Sequence, residues 1–179
     1  MIDARHYAAT ESLRNGLSIC IRASRPDDVE RVVDAFHQLA PESVYLRFFS
    51  AKKEFSQAEL QRFCETDFDS MVRLLCTIMR DDREMVIATA MYARVGENAA
   101  EVAFIVEEDF HRLGIAGRLL KHLGRIAVAA GIKTFVAEVL PQNTAMLGVF
   151  KRCGWPMTSA VSGGAVHLSL ALQSQDAPG

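Results

Sequence analysis

Histidine and cysteine never fall into metal-ligand spacing in this chain. Cys20, Cys64, Cys76 and Cys153 are scattered without a Cys-x-x-Cys pair, and His6, His37, His111, His122 and His167 form no ligand pattern. Structural zinc and dithiol redox chemistry both need such pairs. No metal is therefore expected, and the thiols are expected to be reduced, as in a cytoplasmic protein. An excess of basic charge is missing too, the formal net charge being −2 at pH 7. Nucleic-acid binding leaves a basic stripe, so no such partner is expected. No apolar run approaches the roughly 18 residues that cross a bilayer, and the opening MIDARHYAATESLRNG lacks the apolar core of a signal peptide, so no membrane partner is expected either. Linkers, repeats and low-complexity tracts are absent. With 179 residues, 50% hydrophobic and 23% charged, the chain reads as one globular domain over 13–172, with flexible termini at 1–12 and 173–179.

What is present centres on the stretch Glu101–Leu123, EVAFIVEEDFHRLGIAGRLLKHL. Its first six residues alternate as a strand, with Val102, Phe104 and Val106 on one side and Glu101, Ala103 and Ile105 on the other. After a polar break, Gly114-Ile115-Ala116-Gly117 runs into an amphipathic helix. Ile115, Leu119, Leu123 and Ile126 form its apolar stripe, with Arg118, Lys121, His122 and Arg125 between them. A strand, a glycine turn and a helix in that order build an anion site. The first N–H groups of a helix lack partners, its dipole is positive there, and small residues let a phosphate approach.

The flanking chain alternates less simply. Leu17–Ala23 reads as a strand, followed by a helix from an N-cap at Ser24 to about Leu39. A second helix begins at Pro41, and a third runs from the capping box Ser56/Glu59 to about Glu65. Met71–Arg80, Glu84–Val95 and Glu101–Val106 read as a three-strand antiparallel meander. Beyond the glycine-turn helix come a strand at Phe135–Val139, a helix at Asn143–Arg152 and a final hairpin around Ser162-Gly163-Gly164.

The glycine spacing matches neither a P-loop nor a dinucleotide fingerprint. It resembles the pyrophosphate loop of the GCN5-related N-acetyltransferases (GNAT), Gln/Arg-x-x-Gly-x-Gly/Ala, here His111-Arg112-Leu113-Gly114-Ile115-Ala116. His111 departs from the usual first residue. Asn143-Thr-Ala-Met146 through Phe150-Lys151-x-x-Gly154-Trp155 is similar to the family's Asn-x-x-Ala…Tyr-x-x-x-Gly-Phe segment. Ile21-Arg22-x-Ser24-Arg25-Pro26-Asp27-Asp28 and Pro41-Glu42-Ser43-x-Tyr45-Leu46-Arg47-Phe48-Phe49 resemble, more narrowly, the acetyltransferase domain of bacterial protein-lysine acetyltransferases. The resemblance implies an α/β (α+β) GNAT fold, with a central mixed, mostly antiparallel sheet of about seven strands flanked by helices.

It also implies a chemistry. Acetyl-CoA would be the co-substrate, its phosphates cradled by Arg112, Leu113, Gly114, Ile115, Ala116, Gly117 and Arg118. Its pantetheine arm would lie along the backbone of Phe104, Ile105 and Val106, whose N–H groups would also meet the oxyanion. Asn143 fits either a hydrogen bond to that arm or a helix N-cap, and Arg118, Lys121 and Arg125 fit either the phosphates or a solvated helix face. An alkyl amine, with a pKa of about 10.4, arrives protonated and needs a base. Glu101 stands where the subgroup carries its catalytic glutamate, and partial burial would raise its pKa toward the working pH. Glu107 and Glu108 are the runners-up. Phe150 replaces the family's tyrosine acid and Cys153 is a poor substitute, so no dedicated side-chain acid is expected. Tyr45 and Arg47 would border the amine acceptor, a protein lysine or a small molecule, while Phe48 and Phe49 read as packing residues. The assembly would be a monomer or homodimer. A different class of function, a non-catalytic acyl-CoA sensor, is favoured by Phe150 and opposed by Glu101.

Overall fold

Short apolar-alternating segments bounded by turn residues become eight strands and five helices in the computed structural model, which describes residues 1–173. In chain order they are Ala8–Ser12 (β1), Ser18–Ala23 (β2), Val29–His37 (α1), Pro41–Phe48 (α2), Gln57–Cys64 (α3), Met71–Arg80 (β3), Arg83–Arg94 (β4), Ala99–Val106 (β5), Ile115–Ala129 (α4), Thr134–Val139 (β6), Thr144–Lys151 (α5), Met157–Ser162 (β7) and Ala165–Ala171 (β8). They form one sheet in the order β1-β2-β3-β4-β5-β6-β8-β7. Every neighbouring pair is antiparallel except β5 with β6. The expected mixed, mostly antiparallel sheet is therefore present, with eight strands rather than about seven.

The additional strand lies where a flexible terminus was expected. Ala8–Ser12 pairs residue for residue with β2, from Ala8↔Arg22 to Ser12↔Ser18. None of its five residues is buried, so it carries too weak a period-2 pattern to be read from sequence. What holds it is polar. Glu11 accepts from Arg118 and His122 of α4 at 2.8 and 2.9 Å, and the Tyr7 hydroxyl is hydrogen-bonded to the other ring nitrogen of His122. At the other end, the expected flexible tail falls at 174–179 outside the described residues, with Gln173 the last of those described.

Helix α1 starts later than expected. Ser24, just past β2, still bonds to the sheet, donating its N–H to the Arg73 carbonyl at 3.0 Å, and one 3₁₀ turn at Pro26–Asp28 comes first. Asp28 takes the N-cap position without a side-chain cap bond, its fully buried carboxylate instead accepting the Arg25 N–H at 2.7 Å and two bonds from Arg22 at 2.8 and 2.7 Å. The capping box of α3 is as expected, with the Glu59 N–H on Ser56 Oγ at 3.1 Å.

The two sheet faces are covered differently. Val102 and Phe104 point toward α4 and α5, into a core with Tyr92, Phe135, Leu119, Leu123 and Trp155. Gly124 lets the Trp155 indole lie against α4, since a Cβ there would come within 2.4 Å of the ring. The other face, which carries Glu101, Ala103 and Ile105, is covered by α1, α2 and α3 and keeps open space beneath them. Among the described residues no helix is long and apolar enough to cross a membrane.

Candidate active site

The sheet opens in its middle. β5 and β6 pair in parallel only at Ala99↔Thr134, Ala100↔Phe135 and Glu101↔Val136, and then part. Beyond Glu101 one edge of β5 is therefore unpaired. The Glu107 N–H bonds to the Ile87 carbonyl at 2.9 Å, which sets the alternation of the antiparallel ladder. Odd-numbered residues exchange bonds with β4, while Val102, Phe104 and Val106 turn N–H and C=O toward the gap. Phe104 and Val106 thus present backbone where a pantetheine arm was expected. Ile105 does not: its backbone faces β4, and its side chain lines the cavity on the opposite face. The gap is a cleft of about 250 Å³ whose walls include Glu101–Phe104, Ala137–Val139, Asn143, Met146 and Phe150.

At one end of this edge lies the glycine turn. Gly114 caps α4 in the left-handed conformation, φ +79°, and no side chain caps the helix. Arg118 is the first helical residue whose N–H bonds back, to the Gly114 carbonyl at 3.2 Å. The N–H groups of Ile115, Ala116 and Gly117 are left as donors at the positive end of a 15-residue helix. A Cβ added at Gly114 or Gly117 would meet nothing within 4 Å, so the space before these donors is open. The residues fit a pyrophosphate. Arg112 is exposed and itself left-handed, φ +65°, while Leu113 packs against the core and the Ile115 side chain lies within it. His111 reaches back, with Nε2 2.7 Å from the Val106 carbonyl oxygen.

Arg118 is half-buried, and one of its guanidinium nitrogens is already engaged. Its guanidinium is paired with Glu11 at 2.8 Å. Burial pushes the Glu11 carboxyl up, but hydrogen bonds from Arg118 and His122 outweigh this and hold it below the ordinary value. His122, expected on the polar face of α4, is buried in the same latch. Asn143 is the N-cap of α5, its Oδ1 accepting the Met146 N–H at 3.2 Å, and it also lines the cleft, so both of its expected roles remain compatible.

Glu101 stands at the last paired rung before the strands part and lines the cleft. It is exposed, not half-buried as expected, because the gap leaves its side chain open. Arg47 of α2 shares the cleft wall. Burial draws its guanidinium below the ordinary arginine value, against the opposing pull of the Glu101 carboxylate. Tyr45 lines neither this cleft nor the cavity beneath α1–α3, and stands exposed at 45%. Phe48 packs between Phe36 and Phe55 as expected, whereas Phe49, left-handed at the end of α2, is exposed at the cleft. Glu108 is committed to the Ala40 N–H at 3.0 Å, and Glu107 lines the cavity of the other face, where burial pushes its carboxyl up. Phe150 is buried edge-on to Phe104, ring centroids 6.0 Å apart, and the Cys153 sulfur accepts the Trp155 N–H at 3.5 Å. No hydroxyl or thiol of these residues is offered to the cleft. Sequence reasoning passed over Arg73, which lines the cavity under α1–α3. Its one signal was a lone charge inside the otherwise apolar run Met71–Met79.

A sheet split between two parallel strands, an unpaired strand edge along the split and an uncapped helix end at its mouth define a class of proteins that hold an extended, phosphate-bearing ligand. The chain belongs to the Acetyltransferase (GNAT) family, whose model matches residues 34–155. It is 33% identical over 144 residues to acetyltransferase Pat of Mycolicibacterium smegmatis, covering 79% of this chain and 42% of that protein. The chain thus spans less than half the length of that relative. The GNAT domain of S. lividans PAT superposes with a TM-score of 0.84 at 35% identity, over 92% of this chain and 97% of that one. The Salmonella typhimurium protein yncA, solved with its cofactor acetyl-CoA, shares the fold at 16% identity, with a TM-score of 0.68 over 90% of this chain and 98% of its own.

Proposed function

We propose that the protein is an acetyl-CoA-dependent N-acetyltransferase acting on a primary amine. The observation that carries this reading is the convergence of three features on one split in the sheet: the donors of Ile115–Gly117, the free edge at Phe104 and the Val106 N–H, and the carboxylate of Glu101.

Bound acetyl-CoA supplies an activated acyl group on a thiol of pKa about 8.5, a good leaving group. The chain's own residues do the rest. The first N–H groups of α4 hold the pyrophosphate, and the N–H and C=O of Phe104 pair with the amide-bearing arm as an added strand. The Asn143 amide N–H₂, not needed for its cap, donates to the same arm. Glu101 accepts the proton of the incoming ammonium, directly or through a water, and its exposure gives that proton a route to solvent. The nitrogen then bonds to the acyl carbon as the carbon–sulfur bond breaks, and the thiolate leaves with the electron pair. Phe150 provides no acid, and a thiolate needs none.

Thiol release from acetyl-CoA, measured with and without small amines and lysate proteins, tests the reading. Acceptor-dependent release is expected. Coenzyme A binding with no release for any acceptor would make the domain an acyl-CoA sensor.

A further inference from the structure

Helices α1, α2 and α3 enclose a cavity of about 330 Å³ against β3, β4 and β5, on the face that carries Glu101. Much of its wall is hydrocarbon, including Val32, Phe36, Leu39, Phe55 and Leu60. Two arginines also line it, Arg47 and Arg73, both half-buried, and among the described residues neither is in an ion pair with an acidic side chain. Arg73 Nε is closed off from solvent and makes no hydrogen bond. One of its Nη groups reaches only the Met71 sulfur at 3.7 Å, and the guanidinium lies over the Phe63 ring at 4.9 Å. Arg47 is similar, with the Met91 sulfur at 3.8 Å and the Phe48 ring at 4.7 Å. Thioethers and ring faces replace lost hydration poorly, and a desolvated cation without a counter-ion is costly. Burial, with Arg47 nearby, draws the Arg73 guanidinium down to about 10.

The other charges around the cavity do not cancel the pair. Glu59 is tied to Lys52 at 2.6 Å, among the described residues Glu107 is the one other carboxylate on the wall, and Arg62 adds a third cation, so positive charge stays in excess, while Glu101 pulls on Arg47 without reaching ion-pair distance. The register connects this cavity to the cleft. Arg73 pairs across Met91, and Met91 across Ala103, two residues along β5 from Glu101. Strand spacing and rise put the Cα atoms of Arg73 and Glu101 about 12 Å apart. Arg47 and Phe48 line both spaces.

We infer that this cavity is the acceptor site, and that the acceptor is a small amine bearing a carboxylate and an apolar side chain, an apolar amino acid being the simplest such molecule. The inference rests on the acetyltransferase reading above. The carboxylate pairs with Arg47 and Arg73, the side chain fills the space among Phe36, Phe48 and Phe55, and the amine faces the opening where Glu101 stands. Its nitrogen bonds to the acetyl carbon as the carbon–sulfur bond breaks; the thiolate leaves with the electron pair, the amine proton passes to Glu101 and solvent, and an N-acetyl amino acid results. A protein lysine brings a cation and no carboxylate, and would leave both guanidinium groups without a counter-ion.

The test compares L-leucine and L-phenylalanine with their amides, by calorimetry in the presence of coenzyme A and by turnover with acetyl-CoA, alongside a lysine peptide set. The acids are expected to bind at least tenfold tighter than the amides. Arg73→Met, which removes a half-buried cation with no acidic partner and so should fold, is expected to abolish that preference while leaving acetyl-CoA affinity unchanged. Equal binding of acid and amide, or a preference that survives Arg73→Met, overturns the inference. Tight carboxylate binding without thiol release from any acceptor would leave the site standing and remove the acetyltransferase reading. Release with lysine peptides, and no binding of either acid, would do the reverse.

Discussion

His111 Nε2 stands 2.7 Å from the carbonyl oxygen of Val106, joining the loop before α4 to the last residue of β5. That carbonyl faces the gap and has no strand partner, so the imidazole N–H satisfies it and braces the loop against the strand edge. The residue that departs from the family's loop pattern is therefore not a lost contact but a brace. His111→Ala should raise the acetyl-CoA Michaelis constant roughly fivefold, the worth of about 1 kcal/mol for one hydrogen bond, with kcat little changed. His111→Gln, which keeps an N–H donor, should restore it. Wild-type affinity in the alanine variant would show that the loop holds itself.

The open space before α4 permits a separation of binding from folding. Gly117 lies within the helix, where alanine is favoured over glycine by roughly 0.5–1 kcal/mol. Gly117→Ala should therefore raise Tm slightly while placing a methyl in front of the free donors and weakening coenzyme A in calorimetry. Gly114→Val should weaken it too, but at φ +79° it also strains the backbone by about 1–3 kcal/mol, so its Tm should fall. Undiminished affinity in both folded variants would remove the cradle.

Glu101→Gln keeps the shape of the side chain and removes the proposed base. Turnover should fall by about 10²–10⁴-fold, with acetyl-CoA affinity little changed. The pH–rate profile should also lose its low-pH limb, because that limb reports ionisation of the carboxylate. Unaltered kcat would move the role to solvent or to Glu107, which lines the cavity beneath α1–α3.

Beneath α1 a charged network has a predictable pH response. Arg22 bonds both oxygens of Asp28 and both of Glu84. Burial pushes the Asp28 carboxyl up, but the Arg22 bonds and the Arg25 N–H outweigh it and hold it below the usual range. For Glu84 the Arg22 bond itself is the largest influence, with the same downward result. Carboxyls depressed in the folded state stabilise it above their unfolded values of about 4, and that stability is lost as pH falls through the folded values. Tm should therefore hold above about pH 5 and fall steeply below it. Asp28→Ala, which leaves the buried Arg22 with Glu84 alone and the Arg25 N–H without its acceptor, should cost about 1–3 kcal/mol at neutral pH in chemical denaturation. A loss below 1 kcal/mol would mean the network is solvated.

Where structural information is local in the chain, the residues sufficed. The glycine turn, the α4 stripe and the β3–β4–β5 meander each depend on contacts within a few positions, and their bounds moved by no more than two or three residues. Long-range polar contacts left no such trace. Ser24 looks like a cap until the Arg73 carbonyl takes its N–H, and Asp28 looks like an ordinary first-turn acid until Arg22 buries it. Arg118 points to phosphates in a linear reading, yet Glu11, far away in sequence, holds it at 2.8 Å.

Hydrophobic period and the small residues at Gly114–Gly117 determined by themselves that this chain carries an antiparallel sheet feeding a helix with a glycine turn at its start, because backbone geometry obeys local sterics. Tertiary structure alone decided that β5 and β6 part after Glu101, that Ile105 turns its backbone to β4, that Tyr45 stands outside the cleft, and that Arg47 and Arg73 share one cavity. Strand register and the desolvation of charge depend on which distant segments meet, and a linear pattern does not contain those distances.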